Sequence, residues 1–97
     1  MTTYVTLANF TQQGLHEIKG TVTRVEAWKA AAKKAGAEVK EVLWTQGQYD
    51  MVCIVEAADD AAMSVLMLDA LKLGNITGQT LRAFTAAEME KILAKVS

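Results

Sequence analysis

The sequence predicts an α+β domain whose elements run strand, helix, strand, strand, helix, strand, with one further helix at the C-terminal end. Three observations predict it. Runs rich in β-branched, aromatic and small apolar residues recur at 4–10, 38–45, 49–55 and 76–84, each bounded by turn residues. Between the first and second runs, and between the third and fourth, apolar residues fall at the spacing of a helix. The second and third runs are separated only by Gln46-Gly47-Gln48, which makes them a hairpin.

Taken in order, Tyr4-Val5-Thr6-Leu7-Ala8-Asn9-Phe10 forms the first strand and Thr11 offers an N-cap behind it. Leu15, Ile18, Val22, Val25, Trp28, Ala32 and Ala35 then step by three and four and predict one apolar stripe. Gly14 and Gly20 interrupt it, so a short turn over 12–19, a kink and a firmer helix from Val22 to Ala35 are expected, with Gly36 as its C-cap. Met51 to Val55 is apolar at every position, the mark of a central strand covered on both faces. Asp59-Asp60 opens a helix to Leu73 that is apolar over most of its circumference, and Gly74-Asn75 ends it. In the last strand Leu81 and Ala83 face one way, and Thr80, Arg82 and Phe84 the other. Thr85-Ala86-Ala87-Glu88 is a capping box, and the helix behind it carries Met89, Ile92, Leu93 and Val96 on one side.

At 97 residues the chain is one domain, 1–97, with an expected radius of gyration of about 13 Å. Hydrophobic residues at 52 % and charged residues at 22 % exclude a disordered segment. Ten basic against eleven acidic side chains leave a net charge of -1, without the clustered cation excess that a nucleic-acid backbone requires. No stretch approaches the ~20 apolar residues of a membrane span, and no basic segment followed by an apolar one opens the chain. With one cysteine, Cys53, a disulfide-free cytoplasmic protein is expected. A single histidine, His16, removes the common metal constellations, so no metal and no cofactor are expected.

The element order is the split βαβ pattern of the ferredoxin-like fold, an antiparallel four-stranded sheet with helices on one face. A central strand apolar on both faces then needs cover on the second face, and a second copy of the chain supplies it, giving a homodimer of the dimeric α+β barrel type. Asn9-Phe10-Thr11-x-x-Gly14, Trp44-Thr45-x-Gly47-x-Tyr49-Asp50, Val55-Glu56-Ala57-x-Asp59, Leu73-Gly74-Asn75 and Thr80-Leu81-Arg82-Ala83-Phe84 together resemble the GYD domain family over essentially the whole chain. The resemblance implies the ferredoxin-like fold and the dimeric barrel assembly. The family is bacterial and archaeal and carries no assigned activity, so it implies no reaction. Gln48 and His16 fall outside the pattern.

Candidate site residues follow from chemistry. Tyr49 and Asp50 beside Gly47 bring a phenol and a carboxylate to one turn, where Asp50 orients a substrate or, more simply, binds the backbone. Arg82 is expected on the face away from the helices, if Leu81 and Ala83 point to the core, where it binds an anion or pairs with Asp50 or Glu56. Tyr4, Asn9 and Trp44 add aromatic and amide groups, and with Tyr49, Asp50 and Arg82 they suit a small anionic or aromatic ligand between sheet and partner. His16 is expected on the surface, Cys53 as a buried inert thiol, and Met51, Met63, Met67 and Met89 as core fill. Three classes of function fit: a homodimeric small-molecule-binding module, a cofactor-independent monooxygenase- or isomerase-like enzyme, and a structural or partner-binding protein.

Overall fold

Strand β1 (Thr2–Phe10) lies inside the sheet of the computed structural model, which describes residues 1–97. It is followed by α1 (Gln12–His16), a 3-10 turn (Ile18–Gly20), α2 (Thr21–Lys34), the hairpin β2 (Glu38–Trp44) and β3 (Met51–Ala57), α3 (Asp60–Leu71), β4 (Ile76–Ala83) and α4 (Ala86–Leu93). The strand order is β2-β3-β1-β4 and every neighbouring pair is antiparallel. This is the ferredoxin-like arrangement expected from the element order.

Burial alternates along the two central strands. Tyr4, Thr6 and Ala8 of β1 and Met51, Cys53, Val55 and Ala57 of β3 are buried beneath the helices, together with Val25 and Ala32 of α2 and Met63, Leu66 and Met67 of α3. Trp28 ties the two helices together by donating its indole N–H to the Leu66 carbonyl at 3.3 Å. On the opposite face cross-strand register aligns Glu41, Ile54, Val5 and Leu81 in one row and Leu43, Val52, Leu7 and Gln79 in the next. No element of the chain covers this face, and Leu43, Ile54 and Leu81 are exposed on it.

Helix caps form where the sequence places them. The Thr11 hydroxyl accepts from Gly14 N, the Asp59 carboxylate accepts from Ala62 N, and Thr85 with Glu88 completes the capping box. Four expectations need correction. The stripe on the first helical segment breaks at the 3-10 turn, and Leu15, Ile18 and Val22 are exposed while Val25 and Ala32 stay buried. In β4 the register pairs Arg82 with Tyr4 and Thr80 with Thr6, so Arg82 lies on the helix side and Leu81 on the open side. Arg82 therefore pairs with neither Asp50 nor Glu56; its ion-pair partner is Glu88, at 3.9 Å. Met89 is not core: no residue of α4 is buried, and the radius of gyration of 14.6 Å exceeds the ~13 Å of a compact chain of this length because the molecule extends to 51 Å along its long axis. No helix is long and apolar enough to cross a membrane.

Candidate functional site

Hydrogen bonding explains the Gly-x-Tyr-Asp turn. Gly47 at φ +111° turns the chain in a region that side chains disfavour, and the Thr45 hydroxyl and N–H close the turn on the carbonyls of Tyr49 and Asp50 at 2.5 and 2.8 Å. Asp50 then reaches β1, its Oδ2 accepting from Phe10 N and its own N–H donating to the Ala8 carbonyl, both at 2.9 Å. The residues that follow Phe10 are tied in turn to the end of α3. Thr11 N donates to the Asn75 carbonyl at 3.0 Å and Thr11 Oγ1 to the Gly74 carbonyl at 2.6 Å, while Gln13 reaches Leu73 O at 2.9 Å and Asn75 Oδ1 at 3.1 Å. Gly14 packs so tightly here that a Cβ would sit 2.0 Å from the Asn75 oxygen. Asp50 thus spends its carboxylate on the backbone, and three of the quoted motifs, around Phe10, Gly47 and Gly74, meet at one end of the sheet as a structural clasp.

The six predicted site residues separate. Asn9 is on the open face, paired with Thr77. Trp44 lies at the sheet edge toward α2, donating its indole N–H to Thr21 Oγ1 at 3.1 Å. Tyr49 and Asp50 stay in the clasp. Tyr4 and Arg82 come together, in a cleft of about 460 Å³ between β1, β4 and α3 that also includes Asp60, Ser64 and Thr80. The Tyr4 hydroxyl donates to Asp60 Oδ1 at 2.5 Å, and burial together with that carboxylate pushes the phenol above its ordinary range, so it stays a neutral donor near neutrality. Arg82 lies over the Phe84 ring at 4.5 Å and the Tyr4 ring at 5.9 Å, donates to the carbonyls of Thr3 and Ala83, and pairs with Glu88. Its charge is answered from within the chain.

A second cavity, of about 270 Å³, lies between the helices and the sheet. Its floor is Thr6, Ala8, Met51 and Cys53 of the central strands, and its rim is the exposed Ala27 and Ala31 of α2 with Asp69 and Leu73 at the end of α3. Small side chains widen its mouth: at the rim α2 presents alanines four residues apart, Ala27 and Ala31. Most of the lining is apolar. Burial pushes the Cys53 thiol up to about 11, which leaves it protonated and inert as a nucleophile. Arg24 also lines the cavity, its Nη1 donating to the Glu17 carbonyl at 2.8 Å, whereas its Nη2 is buried without an acceptor. Sequence reasoning did not single out Arg24. One arginine on a helix rich in exposed lysines carries no distinguishing signal, and only the kink at Gly20 turns it back over the 3-10 turn. No three His, Cys, Asp or Glu side chains converge into a metal-binding group.

A sheet of this order with helices on one face and a cavity between the two layers defines an α+β domain of ferredoxin-like fold. The chain belongs to the GYD domain family, whose model matches residues 4–93. It is similar to the solved structure of TTHA0845 from Thermus thermophilus, at 27 % identity and a TM-score of 0.56, over 89 % of this chain and 96 % of that one. No curated protein matches it.

Proposed function

We propose that the protein is a homodimeric small-molecule-binding module, with its ligand seated in the cavity between α2, α3 and the sheet. The observation that carries this reading is the cavity itself. A space of about 270 Å³ in a domain of 97 residues forfeits packing that a few larger side chains would supply, and an apolar recess of this kind is the usual form of a ligand site. Binding fits the surrounding groups better than turnover, because Cys53 on the cavity floor is held protonated. Assembly follows from the other side of the sheet. The rows through Ile54, Val5 and Leu81 and through Leu43, Val52 and Leu7 form an uncovered apolar surface, and an isologous pairing of two such faces buries both.

Native mass spectrometry of freshly purified protein tests both parts. A dimer that carries one small adduct per chain, or that takes up octan-1-ol at one molecule per chain, is the expected result. A monomer at micromolar concentration removes the assembly, and a chain that retains and takes up no small apolar molecule removes the binding role.

A further inference from the structure

Resting on the reading that this cavity binds a small molecule, we infer that its ligand is an apolar monocarboxylate whose carboxylate is held by Arg24. The guanidinium of Arg24 is permanently charged and presents five N–H donors. Nη1 spends one on the Glu17 carbonyl at 2.8 Å, which fixes the group, while Nη2 is buried with no acceptor in the protein, on a side chain that lines the cavity. A buried cation without a partner is costly, and a carboxylate is its best geometric match.

The rest of the lining supplies no competing demand. Thr6 Oγ1 is engaged with Met67 Sδ at 3.6 Å, Thr21 Oγ1 accepts from Trp44, and Asn75 accepts from Gln13 and Thr11. Asp69, the one carboxylate on the rim, pairs with Lys72 at 3.2 Å, so its charge is answered. Beyond Arg24 the ligand meets Val25, Trp28, Met51, Cys53 and Ile76, an apolar wall. A cavity of roughly 150 Å³ accommodates benzene, and this one, at about 270 Å³, has space for a body nearly twice as large. A medium-length acyl chain or a fused aromatic acid meets that description.

Calorimetric titration of the intact protein with octanoate and with octan-1-ol, which share a chain and differ in the head group, tests the inference. The unaltered protein is expected to bind octanoate more tightly than the alcohol by roughly tenfold to a hundredfold, the worth of a hydrogen bond to a charged group. Arg24→Met, which keeps the aliphatic stem, is expected to erase that preference. Equal binding of acid and alcohol by the unaltered protein overturns the ligand class while the binding role stands, and an acid preference that survives Arg24→Met overturns the assignment of the carboxylate to Arg24. If the Met variant binds neither, Arg24→Gln takes its place under the same criterion: loss of the acid preference upholds the assignment to Arg24 and its survival overturns it. Failure of both probes on the unaltered protein overturns the binding role itself, and this inference with it.

Discussion

The clasp at the end of β1 and the cavity beneath α2 use polar groups in opposite ways. At the clasp, Asp50, Thr11, Thr45 and Gln13 all end on backbone groups of the same chain, and Gly14 leaves no space to spare. In the cavity small side chains leave a gap, and one nitrogen of the lining Arg24 is buried without an acceptor. The motifs that make the family legible are therefore those that hold the fold together, whereas the group best placed to meet a ligand lies outside them. Arg82 belongs with the clasp in this respect: it sits in a motif and its donors are already taken.

Substitutions probe that contrast. The largest effect is expected for Gly14→Ala, whose Cβ would meet the Asn75 oxygen at 2.0 Å; backbone on both sides must move, and chemical denaturation should show a loss of about 3 kcal/mol. A loss within about 0.5 kcal/mol, the range of an ordinary surface change, would mean that the clasp is loose. Next, Asp50→Ala strands the half-buried N–H of Phe10, with an expected loss of about 2 kcal/mol, while octan-1-ol affinity in the folded protein stays unchanged. A large fall in affinity in this variant would put Asp50 back among the binding residues.

Cys53 provides a readout from the other region. With its thiol held at about 11, only about one in a thousand is ionised at pH 8, and alkylation by iodoacetamide should be slow in the native protein and fast after unfolding. Bound octan-1-ol should slow it further, because Cys53 forms part of the floor; equal rates with and without the alcohol would place that ligand elsewhere.

The smallest effect concerns α4. The Thr85 N–H beside Glu88 holds its carboxyl below the usual carboxylate range, with Arg82 adding to the effect. A carboxyl depressed in the folded state contributes stability above its unfolded value near 4.5, and that contribution disappears as pH falls through the folded value. Acid titration followed by amide exchange should show α4 opening before the sheet does, and Glu88→Gln should remove the pH dependence of that opening.

Much of the fold was legible because local signals agree with it. The hairpin around Gly47, the caps at Thr11, Asp59 and Thr85, and the continuous apolar run of β3 each carry their own physical cause. What was not legible depends on which side of an element meets its neighbour. In β4 both alternating sets contain a residue fit for a core, and only pairing of Arg82 with Tyr4 decides the phase. The stripe at Leu15 and Ile18 looks continuous with Val25 until the 3-10 turn separates them, and Val22, in the first turn of α2, is exposed as well. The site was harder still, because a cavity is made by residues that are small, and Ala27, Ala31 and Ala8 carry no chemistry that marks them.

The functional reading stands or falls on whether a small apolar ligand enters the space between α2, α3 and the sheet. A titration of isotopically labelled protein with octan-1-ol, followed by two-dimensional amide and methyl spectra, decides it. Saturable shifts are expected at Ala27, Ala31, Cys53, Ala70 and the Trp28 indole, with Ser64 and Thr80 in the Arg82 cleft left in place. Shifts confined to the Arg82 cleft or to the open sheet face, or none at saturation, would refute it.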